Sequence, residues 1–168
     1  ARLGILRCSY FTNKSQPTIT IATEILDDIA SNDDNKYEAH YCRAKAYIAT
    51  GQETSAVNDL KAIADDISIE MGAEAKYLYA EYQYNQGEYK KSEDIIMQFI
   101  SEGTTHQYWL ARCFVLLADI YIAQGDDFMA KQYLLSLQEN YNANDDITTL
   151  INVRLEAITA RESQEILQ

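Results

Sequence analysis

Apolar residues recur along this chain at intervals of three and four, as in Ala56, Leu60, Ile63 and Ala64, which is the period of one face of an α-helix. Read through to the breaks between periodic runs, the pattern predicts helices over residues 2–12, 17–31, 36–50, 52–66, 70–86, 88–102, 105–124, 126–141 and 145–162.

The runs repeat. Gly51, Gly87 and Gly125 each follow a Tyr-rich apolar run, at spacings of 36 and 38 residues. Seven residues before them stand Ala44, Ala80 and Ala118, and five after stand Ala56, Ser92 and Ala130. Nine after come Leu60, Ile96 and Leu134; twelve after come Ile63, Phe99 and Leu137. Four before stand Tyr47 and Tyr121, while the middle copy has Gln83 there with Tyr84 beside it. These columns describe a helical hairpin: glycine supplies the positive φ that ends the first helix, small residues let the two helices approach, and large ones fill the groove to a neighbour. One such hairpin cannot bury both its faces, so the units must stack.

An earlier, degenerate copy aligns Cys8 and Phe11 with Ala44 and Tyr47 at a shift of 36. Its second helix aligns Ile19, Ala22, Leu26, Ile29 and Ala30 with Glu53, Ala56, Leu60, Ile63 and Ala64 at a shift of 34. The two shifts imply a connecting loop two residues longer, with Pro17 where a second helix begins. At the other end, Asn142–Asp146 reads as a loop and N-cap before the amphipathic run Ile147, Leu150, Ile151, Leu155 and Ile158, a capping helix. The expected fold is all-α: a right-handed superhelical solenoid of antiparallel helix hairpins forming a single domain over 1–168. Its repeats run roughly 2–31, 36–66, 70–102 and 105–141, with a capping helix at 145–162.

Composition agrees. One proline and six glycines are too few for a sandwich or barrel, and 168 residues are enough to bury a core. A formal net charge of −12 makes nucleic acid and anionic membrane surfaces poor direct partners. The longest apolar stretch, Phe114–Ala118, ends at Asp119 and falls far short of the ~20 residues of a membrane-spanning helix. The opening Ala1-Arg2-Leu3-Gly4 reads as the interior of a longer protein. Cys8, Cys42 and Cys113, widely spaced and without a CxxC, read as buried small hydrophobes.

The columns resemble the tetratricopeptide repeat family. The matches are Ala44-x-x-Tyr47-x-x-x-Gly51 with Ala56, then Ala80 with Tyr84-Asn85-Gln86-Gly87-Glu88-Tyr89 and Ser92, then Ala118-x-x-Tyr121-x-x-x-Gly125 with Ala130. They cover residues 36–141 well and the flanks loosely; the proline that often closes the family's repeat is missing, and Sel1-like hairpin units share single copies of the pattern. The stretches Gly87–Lys91, Thr105–Arg112 and Gly125–Gln132 also resemble the C-terminal part of large repeat proteins of the Bacteroidetes. That likeness implies a scaffold, in the periplasm or on the cell envelope, with the cytoplasm as the alternative.

No catalytic chemistry stands out. His40 and His106 lack partners at metal-ligand spacing, and no HExxH, GxSxG or glycine-rich phosphate loop occurs, so neither metal nor cofactor is expected. The acidic groups at Asn32–Asn35, Asp65-Asp66, Asp126-Asp127 and Asn144–Asp146 lack the EF-hand pattern and read as helix caps. Most of the thirteen tyrosines read as packing. The family resemblance implies that the first helix of each hairpin lines a concave groove. On that face fall Glu38, Tyr41, Lys45, Glu74, Tyr77, Glu81, Tyr84, Asn85, Arg112 and Asp119, suited to a peptide or protein carrying Lys or Arg. The expected function is a protein-interaction scaffold without catalysis. The alternatives are a spacer in a larger array or an accessory domain of an envelope or signalling protein; end-to-end self-association is expected only of the fragment, through a hairpin face that cutting the array at Arg2 lays bare, and is an artefact of that cut.

Overall fold

The computed structural model describes residues 1–166, through which run nine α-helices and no strand: α1 (Arg2–Phe11), α2 (Ser15–Asp27), α3 (Asp33–Ala49), α4 (Glu53–Ile63), α5 (Glu70–Asn85), α6 (Tyr89–Glu102), α7 (Gln107–Ala123), α8 (Asp127–Asn140) and α9 (Ile147–Ile166). The all-helical class follows from the sequence pattern. Their contacts divide the chain into two compact units, Ala1–Tyr82 and the part from Gln83 on.

The turns between paired helices share one geometry. Gly51, Gly87 and Gly125 take φ of 71°, 75° and 79°. In each, the glycine N–H donates to the carbonyl three residues back (Ile48, Tyr84, Ile122) and the next N–H to the carbonyl five back from itself (Tyr47, Gln83, Tyr121). This is the Schellman closure of a helix end. The same pair of bonds occurs once more: Asn13, at φ 55°, donates to Tyr10 O, and Lys14 N–H donates to Ser9 O.

Asn13 is therefore the turn residue of the first hairpin, which corrects the alignment of that copy. Counted from Asn13, the offsets −7, +5, +9 and +12 fall on Leu6, Thr18, Ala22 and Ile25. All four, like the twelve residues at these offsets in the other copies, are buried, none more than 8% exposed. There is no two-residue insertion. The register was hidden because the volumes are exchanged: Leu6 and Ala22 stand where the later copies have Ala44 and Leu60, or Ala118 and Leu134. The wrong register also misplaced three side chains. Cys8 is exposed rather than buried. Helix α2 ends at Asp27 rather than 31, leaving Ile29 in the connection at 96% exposure. Pro17 is the third residue of α2, still within the first turn where no N–H is needed.

In the first unit α2 packs on α1 and α3, and α3 on α4. Leu6, Ala22, Ile25, Ala39 and Cys42 form one core, and Ala44, Ala56, Leu60, Ile63, Ala64 and Ala75 another. Gly72 in α5 is an obligate close approach: a Cβ there would collide with the Asp66 carbonyl and the Tyr37 hydroxyl. In the second unit α7 packs on α6, α8 and α9 around Val115, Ala118, Leu134, Ile147, Ile151 and Ile158.

Three of the four acidic groups cap helices. Asn32 accepts from Asn35 N–H at 2.9 Å, Asp126 from Met129 N–H at 3.0 Å, and Asp145 from Ile147 N–H at 3.0 Å. Asp66 departs from this role: it turns back on Ser68 within the loop before α5.

Candidate partner-binding face

Counted from each turn residue, the first-helix positions −13 and −6 form a ladder in the first unit. In the first unit Arg7, at −6, grips Glu38, at −13 of the next hairpin, by two bonds: Nε to Oε1 at 2.6 Å and Nη2 to Oε2 at 2.7 Å. One hairpin on, Lys45 at −6 donates to Glu74 at −13, whose second oxygen accepts from the Tyr41 hydroxyl at 2.6 Å. In the second unit Asp119 at −6 is held by Arg154 of α9 through two bonds of 2.6 Å. Side-chain spacing explains the rule, since −13 and −6 are seven residues apart and so share one helix face.

This changes the status of the predicted groove residues. Glu38, Lys45, Glu74 and Asp119 are engaged inside the chain rather than left as a charged rim. Glu74 is 7% and Tyr77 4% exposed, so neither presents a surface; the Tyr77 hydroxyl donates to Glu81. Burial, then the Glu74 hydrogen bond and charge, drives the Tyr41 hydroxyl far above the usual phenol range. Tyr41 is half-buried and meets Tyr10 edge-on at 6.1 Å. In the second unit Tyr84 is half-buried with its ring 5.5 Å from Tyr89, and burial, then Asp119, raises its hydroxyl pKa. Asn85 is exposed. Arg112 donates to the Tyr108 hydroxyl at 3.1 Å and lies 3.6 Å from Asp146.

A cleft of about 350 Å³ opens beside this face in the first unit, lined by Tyr10, Asn13 and Lys14 from the α1 end and turn, Thr18 from α2, and Lys45 and Ala49 from α3. It is the space left where the first turn meets the C-terminal half of α3.

A buried polar cluster was missed by the sequence reading. Asp59 of α4 accepts Arg43 Nε at 2.8 Å and Nη2 at 2.8 Å, and pairs with His40 Nδ1 at 2.7 Å; Arg43 also donates to Thr23 of α2 at 2.9 Å. Burial alone would raise the Asp59 pKa, but the hydrogen bonds and charges of Arg43 and His40 outweigh it and hold the carboxyl below its ordinary 3.8. The signal was present in the columns. At −8 the other copies have Ile5, Tyr79 and Leu117, and at +8 Ile21, Ile95 and Tyr133; only the second copy has a charged pair, Arg43 and Asp59.

Among the described residues no group of three or more His, Cys, Asp and Glu side chains could hold a metal ion, and no helix is long and apolar enough to cross a membrane. The Cys42 thiol, buried and near Glu38, is pushed up to about 12, which makes it a poor nucleophile. No family model, curated protein or solved structure matches the chain.

Proposed function

We propose that this chain is a protein-interaction scaffold of the tetratricopeptide type, a right-handed solenoid of four hairpins and a capping helix that binds a partner along its first-helix face and performs no catalysis. The observation that carries this reading is the fourfold recurrence of one turn, with the same two hydrogen bonds and the same buried offsets at Asn13, Gly51, Gly87 and Gly125. Such repeats spend their sequence on stacking and leave one helix face per unit to recognition. Half-buried Tyr41 in the first unit and Tyr84 in the second are the anchors, already ordered by neighbours and so costing little side-chain freedom on binding. The groove acids Glu38, Glu74 and Asp119 are neutralised internally by Arg7, Lys45 and Arg154, so aromatic contact more than charge supplies the affinity.

Affinity capture from an extract of the source cell, with wild type beside Tyr41→Ala and Tyr84→Ala chains of native helicity, tests it. A specific protein lost from either variant supports the groove; an identical set in all three overturns it. A second reading, a structural spacer in a larger array, draws on the same ladder, because side chains used to hold hairpins together are unavailable to a ligand. It predicts that no isolated peptide binds.

A further inference from the structure

The cleft at the first turn carries a charge opposite to that of the chain. Its volume of about 350 Å³ lies in the lower part of the range of ligand sites, roughly 300–1,000 Å³. No Asp or Glu lines it, although the chain has 26 of them against 14 Lys and Arg. Lys14 and Lys45 stand on its walls. Lys45 is held by Glu74. Lys14 is held by nothing: among the described lysines and arginines, only Lys14 and Lys36 make no ion pair, hydrogen bond or ring contact through the side chain. The Asn13 amide and the Ser15 hydroxyl also line the cleft, and neither side chain has a bond to another described residue.

We infer that this cleft receives an acidic side chain, Asp or Glu, from a peptide segment of the partner lying along the first-helix face; the inference rests on the reading of that face as a binding surface. The cleft continues from the Tyr41 anchor. Tyr10 forms part of its lining and meets the Tyr41 ring at 6.1 Å, close to the step of about 6.8 Å between side chains on the same side of an extended chain. A peptide residue packed on Tyr41 therefore brings the residue two positions along to the cleft mouth. There a carboxylate meets the Lys14 ammonium, which the fold leaves without a counter-ion, and the Asn13 amide and Ser15 hydroxyl are donors for its oxygens. A Lys or Arg in the same place would face two ammonium groups and no carboxylate lining the cleft. The partner is thus negative at this point, the reverse of the charge suggested by the acidic columns, because Glu38 and Glu74 are engaged by Arg7 and Lys45. Ring contact at Tyr41 supplies affinity, and the charge at Lys14 chooses between partners.

Acetylated and amidated nonapeptide pools test this, each with Glu, Gln, Lys or Leu fixed at the central position and only uncharged residues elsewhere, so that the fixed side chain carries all the charge. Fluorescence polarisation reads their binding to the 168-residue chain. The Glu pool should bind about fivefold more tightly than the Gln pool at low salt, against the background repulsion of a −12 chain, and the preference should fade as salt rises. Lys14 is exposed, so Lys14→Glu leaves the core intact, and in that chain the Lys pool should overtake the Glu pool. Tyr41→Ala should weaken every pool alike. Pools that depend on Tyr41 but show no Glu preference, or a Glu preference that Lys14→Glu leaves unchanged, would overturn the cleft assignment while the binding face stands. Failure of every pool to bind the wild type would overturn both.

Discussion

Arg43 closes a two-pronged salt bridge on Asp59, both contacts at 2.8 Å, with the carboxylate side chain only 2% exposed. The pair ties α3 to α4, and through Thr23 to α2. Removing one partner leaves the other charge without its counter-ion, so Asp59→Asn should destabilise the chain by about 3 kcal/mol in urea unfolding. The double change Arg43→Leu with Asp59→Ile installs the residue types other copies carry at these columns, Leu117 and Ile95. It should recover most of that loss, because an apolar pair of similar volume often matches a buried ion pair. A double variant no more stable than Asp59→Asn would show that the pair has no apolar substitute here.

The same carboxylate sets an acid dependence. Its folded pKa lies below 3.8, its ordinary value, so the unfolded chain binds the proton more readily. The stabilisation is fully present above the unfolded pKa, and it is lost as pH falls through the lower folded value. Unfolding free energies of wild type and Asp59→Asn, measured from pH 6 to pH 2, should therefore differ by a constant amount down to roughly pH 5 and converge below about pH 4. Convergence already at pH 6 would contradict the assignment.

Asn13 holds a left-handed conformation that its three counterparts meet with glycine. Asn tolerates this region better than most residues, but Ala does not, so Asn13→Ala should cost about 1 kcal/mol, whereas Asn13→Gly should be neutral or slightly stabilising. Thermal unfolding of the two variants separates them. Equal Tm values would mean that the turn relaxes out of positive φ.

Gly72 is the reverse case, a glycine inside a helix whose φ is ordinary and whose role is spatial. Any side chain there meets the Asp66 carbonyl and the Tyr37 hydroxyl, which itself donates to Ile63 O at 3.1 Å. Ala is the better helix former, yet Gly72→Ala should destabilise by about 2 kcal/mol through this overpacking. A gain in stability would show that the loop before α5 gives way freely.

The helices and their turns were legible because periodicity and glycine are local signals. Gly51, Gly87 and Gly125, each placed just after a Tyr-rich apolar run, mark the positive φ of a helix end, and apolar spacing of three and four announces a buried face. Asn13 escaped notice because its residue type permits the left-handed region without requiring it, and the first hairpin carries its bulk at Leu6 instead of Ala22. Only the sum of the two volumes is set by the space between the helices, so a column read for size alone slipped register.

What the sequence by itself determined is the all-helical class, the hairpin repeat and which face of most helices turns inward, all consequences of local backbone preference and hydrophobic period. The tertiary structure decided the partners. That Arg7 reaches Glu38, that Glu74 serves Lys45 and Tyr41 together, and that Asp119 belongs to Arg154 depends on how far one hairpin is set from the next. Long charged side chains on one face look alike in sequence whether they await a ligand or already hold a neighbour. The difference is a few ångströms of packing, because a hydrogen bond is lost beyond about 3.5 Å.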